Sequence, residues 1–464
     1  MRRIAIIGSG QAGLLAAHAL AQRGYTVTVY TDRTAEEWLE RCRPTGTAGR
    51  FEPSLAWERE LGLDHWQDAA VGIEGIHLTF SLAPPNRLLT LTAKLPKPGK
   101  AIDLRLQSHR WLTDLPAAGA EVIHESVTVE RLDVITAQND LTIVAAGRAD
   151  LCNLFPRDAA RSVYDTPQRR LAMIITKGAP MGFEGVPFVP VKFNLFAPWG
   201  EAFWVPYHHR DHGPTWNLLF EAKAGGPMDR FGSAKSAEET LAIGKEVIRD
   251  LVPWDYAWAK DMEVADANGW LTGGVTPTVR APVGTLPSGR VVMPLGDTAV
   301  SMDPIAGQGA NSGNKMARNL VDHIVARGDR PFDAGWMTET FEAYWARHGA
   351  PTTRFNNLFL EPLPDAGKQV LVAQYGSDGV RTDTPQKLAD AFVANFEDPA
   401  RCTEVIHDVG AARAFIGAHG GGHWLWPVLR GAAGVGREQV RQTLGGQPKH
   451  PLVAGAGPRQ LGGA

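Results

Sequence analysis

Six residues near the start of the chain, Gly8-Ser9-Gly10-Gln11-Ala12-Gly13, have the types and spacing of a turn that cradles phosphate. Gly8 permits a tight turn, Gly10 lets backbone approach a pyrophosphate, and Gly13 allows close contact between helix and strand. A helix opening at this point adds unpaired N–H groups and a partial positive charge. An acidic residue that holds ribose hydroxyls is expected about 20 residues further on. Asp32 lies close to that place and Thr31 precedes it, so either can supply the contact.

A second constellation lies almost three hundred residues away. Leu295-Gly296-Asp297 reads as a buried strand ending in a carboxylate that can accept hydrogen bonds from a polyol. Asp303-Pro304-Ile305-Ala306-Gly307-Gln308-Gly309-Ala310-Asn311 reads as a Gly-rich turn into a helix. Two such turns, each on an expected strand-to-helix junction, point to one large cofactor spanning both.

The elements that must position these turns follow from patterning. Ile4–Ile7 is apolar and β-branched, Leu14–Arg23 is a helix stopped by Gly24, and Thr26–Tyr30 is a second strand. Together they make a right-handed βαβ unit. Glu121–Ile123, Leu141–Ala145 and Arg290–Gly296 return as short strands of the same sheet, with a helix over Gly309–Val325. From Arg170 to Trp270 the pattern becomes Trp- and Phe-rich strands between Gly/Pro turns, with one helix at Ala237–Leu251, which predicts a mainly antiparallel sheet. From Phe332 onwards the spacing is helical, with Trp336, Phe341, Tyr344 and Trp345 near one face as core. Little fixed structure is expected after Gly417, least of all in Ala454–Ala464.

The fold class is therefore α/β: a discontinuous Rossmann-like domain over residues 1–70, 100–165 and 271–330, joined to a β-rich domain over 71–99 and 166–270. A helical region over 331–417 and a Gly-rich tail over 418–464 complete it. The 47 basic residues balance 50 acidic ones to a net charge of −3, so no global field draws the chain to nucleic acid or an anionic membrane. No apolar run reaches the roughly 18 residues of a membrane span. The N-terminal run imitates a signal peptide, but the Gly-rich turn interrupts it. Cys42, Cys152 and Cys402 are far apart and form no C-x-x-C pair, which argues against disulfides or zinc and fits a reducing, cytoplasmic setting.

On the two Gly-rich constellations, the sequence resembles the glutathione-reductase-type FAD proteins, and among them the flavoprotein monooxygenases. In that group the Gly-Asp carboxylate, here Asp297, holds the ribityl chain, and the helix behind Gly309, Ala310 and Asn311 faces the pyrimidine end of the isoalloxazine. Hydroxylases that bind NAD(P)H themselves carry an Asp-Gly pair after a mid-chain strand, whereas here that strand ends in Ala146-Gly147-Arg148. The missing Asp resembles the two-component styrene and indole monooxygenases, whose reduced FAD comes from a separate NADH-dependent flavin reductase. Val29-Tyr30-Thr31-Asp32-Arg33, Ala101–Leu106, Gly273-Gly274-Val275 with Pro277 and Arg280, and Ala389–Phe396 with Pro399 extend the likeness over roughly Met1 to Ile416.

The resemblance implies an FAD-dependent monooxygenase that uses O₂, through a C4a-hydroperoxyflavin, to epoxidise an aryl alkene or indole. The cofactor supplies the hard chemistry, so no catalytic acid–base residue is demanded. It implies cofactor contacts at the Gly8–Gly13 turn, at Thr31, Asp32 and Arg33, at Gly147, and at Gly296, Asp297, Pro304, Gly307, Gln308, Gly309, Ala310 and Asn311. Arg43 and Arg105, which match arginines of the family, are candidates for phosphate or flavin contact. The partners implied are the reductase, O₂ and a small apolar aromatic substrate; a homodimer is compatible with this reading.

The substrate pocket is expected between the flavin and the second sheet, at Gly46, Ile73, Ile76, Phe203, Trp204 and Trp216, with Phe193 and Phe220 also available. Ile73 and Ile76 stand where styrene-type enzymes carry polar or aromatic residues and indole-type enzymes aliphatic ones, which tilts the reading toward a bicyclic aromatic. The loop Thr45–Arg50 departs from both types. His208-His209-x-x-His212 reads as turn residues rather than a metal site. A His-Gly-Gly-Gly-His run at 419–423 lacks the G-x-S-x-G elbow of a hydrolase, and Glu201–Pro206 lacks the tryptophans of a halogenase motif. A self-sufficient NAD(P)H-dependent hydroxylase and a non-catalytic flavin-binding sensor or scaffold are the alternatives.

Overall fold

Short β-branched runs separated by breaker-free helices build the first layer. In the computed structural model, which describes residues 2–446 and 458–459 apart from 45, 47, 48, 84, 85, 184, 185, 187 and 197, these runs form a six-stranded sheet. Its order is Gly284–Thr285, Val291–Pro294, Leu141–Val144, Arg3–Ile7, Thr26–Thr31, Glu121–His124. All neighbours are parallel except the Gly284–Thr285 edge. Ile7 stands opposite both Tyr30 and Val144, so the strands end level and their turns emerge side by side. Ligands of parallel sheets bind at that carboxyl edge.

One feature of this layer departs from expectation. A helix, Val129–Gln138, crosses between Glu121–His124 and Leu141–Val144, capped by Thr128 and burying Leu132 and Ile135.

The second layer is an eight-stranded sheet. Glu263–Val264, Arg170–Lys177, Gly213–Ala222, Gly200–His209, Pro190–Phe196, Ile73–Ala83 and Asn86–Gly99 follow one another, and Trp270–Gly273 pairs with Arg170–Lys177. Its pairs are antiparallel save that of Ile73–Ala83 with Pro190–Phe196. Because successive side chains point to opposite faces, the sheet packs on two sides. Ile174, Trp204, Trp216, Leu218 and Phe220 face the helices Ala237–Leu251 and Pro253–Ala259. Met173, Ile175, Phe193, Phe203 and Leu219 face the C-terminal helices.

Trp336, Phe341 and Tyr344, on the helix Ala334–Tyr344, are buried in the core of the first layer. The segment after Gly417 is not loose as expected: Leu425–Thr443 is a helix of 19 residues. Its glycines read as breakers in sequence, yet Gly431 and Gly434 are buried because they give close approach. A Cβ on either would collide with the Val372 carbonyl or the Tyr375 ring. The stretch Ala454–Ala464 lies outside the described residues except for 458–459, which pair with Gly182–Phe183. No helix among the described residues is long and apolar enough to cross a membrane.

Candidate functional site

The level carboxyl edge of the first sheet brings the two Gly-rich turns together. Gly8 leaves its strand at φ 111° and hydrogen-bonds to the Tyr30 carbonyl at 2.8 Å. A Cβ there would stand 2.6 Å from the Ala145 carbonyl, so only glycine fits. Gly296 turns at φ 64°, with the Ala12 methyl 3.3 Å from a Cβ built on it, closer than ordinary contact, and a Cβ on Gly313 would meet the same methyl at 3.5 Å. Three small residues thus let the helices Gln11–Ala21 and Gly309–Arg327 approach, with residues of both N-termini lining one groove.

That groove encloses about 460 Å³. From the expected cofactor residues it is walled by Gly10, Gln11, Ala12, Gly13 and Gly147 on one side, and by Gly296, Asp297, Pro304, Gly307, Gly309 and Ala310 on the other. Gly46, expected at the substrate pocket, lies in the same wall. Sequence reasoning missed Gly49, Gly313 and Asn314, which join it; the Gly309–Asn314 helix start is the signal that could have found the last two.

The electrostatics favour an anion with polar appendages. The first residues of both helices line the groove, where unpaired N–H groups carry partial positive charge, and among the described residues buried Gln11 Nε2 has no hydrogen-bond partner. Asp297 opens to the groove while protein walls it. Burial raises its pKa, and the Arg280 guanidinium pulls it back down.

Other expected cofactor residues are committed elsewhere. Asn311 is saturated: its Oδ1 accepts from Phe51 N and Ser54 Oγ, and its Nδ2 donates to the Gly49 and Gly307 carbonyls. It ties the Gly49–Ser54 segment to the helix start. Gln308 turns away from the groove and donates to the Phe396 carbonyl at 3.2 Å. The Thr31 hydroxyl contacts Ser9 Oγ at 2.7 Å and donates to the Arg33 carbonyl, leaving Asp32 the exposed carboxylate at this strand end. Arg33 is exposed, with its guanidinium 5.1 Å from the Trp38 ring.

The two arginines are placed differently from expectation. Arg105 is buried in ion pairs with Asp103 at 2.7 Å and Asp266 at 2.8 Å, and its Nη2 lies 3.0 Å from His209 Nε2. Arg43 donates to the Trp270 carbonyl and lies over that ring at 5.2 Å. Neither is among the residues that line the groove. His209, read from sequence as a turn residue, ends the strand Gly200–His209 and is fully buried against Arg105, which supplies the positive charge there.

An apolar cavity of about 440 Å³ lies between the second sheet and the C-terminal helices. Ile76, Leu91, Leu195, Leu371 and Phe392 line it, and Ile73 is buried in the same core. Phe203 faces this core, its ring tilted 57° against that of Phe193 with 4.1 Å between centroids. Trp204 and Trp216, expected at the pocket, are on the opposite face. Trp204 is adjacent to Phe203 and therefore points the other way, where its indole donates to Asp255 at 2.8 Å. Trp216, directly across from Pro206, packs edge-on against Trp258.

Comparison with known proteins places this architecture. A family model described as the styrene monooxygenase A putative substrate binding domain matches residues 147–257, and one described as an NAD(P)-binding Rossmann-like domain matches residues 6–34. The styrene monooxygenase StyA of Pseudomonas fluorescens is 27% identical over 407 residues, 86% of this chain and 94% of the relative. StyA of a second Pseudomonas is equally similar. Among solved structures, the flavin-dependent brominase Bmp2 superposes with TM-score 0.55 at 15% identity over 77% of this chain and 87% of its own. The halogenase PltM gives 0.55 at 12% identity over 96% and 92%. These two show the fold.

Fold and relatives together make the chain an FAD-dependent monooxygenase. Within that class its sequence is similar to the StyA oxygenases.

Proposed function

We propose that this chain receives FAD already reduced by a separate NADH-dependent flavin reductase and uses O₂ to epoxidise an uncharged aryl alkene or indole in the cytoplasm. The observation that carries the reading is the juxtaposition of a groove framed by two helix N-termini with an apolar cavity of similar size. Ala146, where self-sufficient hydroxylases have aspartate, supports delivery of electrons from outside.

The groove fits FAD on three counts. Among the described residues, Gln11 Nε2 is a buried donor without a hydrogen-bond partner. A Cβ on Gly147, Gly307 or Gly309 would meet nothing within 4 Å, which leaves these positions open to a flat ligand. The donor set of helix N–H groups suits a pyrophosphate and an anionic ring edge. We assign the Gly8–Gly13 turn to the pyrophosphate, Asp32 to the ribose, Asp297 to the ribityl hydroxyls, and the N–H groups of Gly309 and Ala310 to the flavin's pyrimidine edge.

When bound, reduced FAD supplies two electrons and two protons, so that one oxygen atom of O₂ enters the alkene and the other leaves as water. The residues of this chain bind, orient and exclude water. The Phe51–Phe396 pair, with ring centroids 5.9 Å apart, and buried Ile305 and Ala306 keep bulk solvent from the space between groove and cavity. The test supplies chemically reduced FAD, air and styrene or indole, and analyses products by chromatography. An epoxide or its rearrangement product supports the reading. Rapid bleaching of the oxidised, FAD-loaded protein by NADH alone contradicts it.

A further inference from the structure

The strand Ile73–Ala83 connects the groove to the apolar cavity. At one end, a Cβ built on Gly49 of the groove wall would lie 3.7 Å from Ile73 Cδ1. Further along, Ile76, Leu78 and Phe80 line the cavity. Strict alternation would set Ile73 and Ile76 on opposite faces. A register shift breaks the alternation there: between the pairs Ile73–Gly99 and Gly75–Lys94 this strand advances two residues and its partner five, and Ile73 is buried in the same core as Ile76. The result is an apolar track from groove loop to cavity floor, about 20 Å long at the usual rise per strand residue.

Size and charge define what such a space takes. A cavity of about 150 Å³ holds one benzene ring, whereas this one encloses about 440 Å³. One-ring alkenes would leave most of it empty, and unfilled apolar volume forfeits contact energy. Every charged group in its lining already has a partner. Arg169 is paired with Glu201 at 2.6 Å, Glu361 accepts from Tyr164, Lys368 is paired with Asp365, and Lys223 also has a partner. Among the described residues every cation of the lining has a partner, so none stands free for an anionic head group, and the one carboxylate held by a phenol, Glu361, is exposed.

We propose that the cavity is a chamber for the apolar body of the substrate, and that this substrate is an uncharged alkene about three times the bulk of a single aromatic ring, with its double bond at the Ile73 end. This deepens the monooxygenase reading above and rests on it.

The test measures binding of two alkenes, styrene and 9-vinylanthracene, to the full chain loaded with oxidised FAD, by calorimetry or by fluorescence of the anthracene. Vinylanthracene is expected to bind at least about tenfold more tightly than styrene. Leu78→Trp on the strand and Leu371→Trp on the helical wall should each weaken vinylanthracene by about tenfold or more, with FAD and styrene affinities within about twofold. If one variant fails to fold, the other reads the same cavity from the opposite wall. Equal affinity for the two alkenes, or equal loss of both in the variants, overturns the chamber. Reduced FAD and air then separate the two claims. Oxygenation of styrene without binding of vinylanthracene overturns the chamber and leaves the monooxygenase reading standing. Binding of vinylanthracene without oxygenation of either alkene upholds the chamber and overturns that reading.

Discussion

Glu221 and Asp303 bring two fully buried carboxyl groups close enough to raise each other's cost of ionisation, with Asp303 in the wall of the Gly-lined groove. Two buried carboxylates side by side repel each other, which favours a proton on the pair. Burial first, then the charge of Asp303, raises the pKa of Glu221 well above its ordinary value; burial also raises that of Asp303. The Arg169 guanidinium facing them is already paired with Glu201, the cross-strand neighbour of Glu221. Asp303 Oδ1 accepts from Ile305 N at 3.1 Å and so caps the turn Pro304–Ala306.

Stability should fall as pH rises because of this pair. A carboxyl raised in the folded state contributes fully below its unfolded pKa, about 4.3 for glutamate. That contribution is lost as pH climbs toward the raised folded value. Glu221→Gln keeps a donor for Asp303 without needing the proton. Thermal unfolding across this range should show a falling melting temperature in the parent chain and a flatter profile in Glu221→Gln. Identical profiles would show that the pair holds no proton.

Gly8 and Gly10 should separate folding from binding. Gly8→Ala meets both a positive φ and the Ala145 carbonyl at 2.6 Å, which should cost about 1–3 kcal/mol of stability. Gly10 has φ −74° and its nearest neighbour at 4.0 Å, so Gly10→Ala should leave the cofactor-free protein within about 0.5 kcal/mol. Its methyl group would still stand where the pyrophosphate must approach. Chemical denaturation and FAD titration together check this, with at least about tenfold weaker binding expected for Gly10→Ala.

Asp297→Asn should trade binding for stability. The carboxylate is held by protein walls that raise its pKa, so neutralising it should stabilise the empty protein. The lost charge-assisted hydrogen bonds should weaken FAD by about 1.5–3 kcal/mol. Differential scanning calorimetry and cofactor titration give the two signs.

Adjacent residues on one strand should give unlike phenotypes. Phe203→Ala opens the face turned toward the substrate side and should alter substrate preference. Trp204→Ala removes a buried indole and its bond to Asp255, and should cost about 3–5 kcal/mol of stability. Correctly folded Trp204→Ala should keep the preference of the parent, as competition assays between styrene and indole would show.

The glycine turns were legible because backbone geometry dictates them: Gly8, Gly296 and Gly307 all sit at positive φ. Side-chain direction was not. Which aromatic residue faces the pocket depends on strand register, and the shift beside Ile73 is set by pairing with partners distant in sequence. The roles of Asn311 and Arg105 were equally hidden, since a residue at a motif position can be saturated by loops that fold onto it. The helix Leu425–Thr443 was missed because glycine weakens an isolated helix yet permits tight packing here.

The central claim is that FAD sits in the Gly-lined groove and receives its electrons elsewhere. The direct measurement is product formation from styrene under air, with the protein given either NADH with oxidised FAD or chemically reduced FAD alone. The account predicts no product in the first case and styrene oxide, limited by the reduced FAD supplied, in the second. Sustained turnover on NADH without a reductase, or no oxygenated product from reduced FAD, would contradict it.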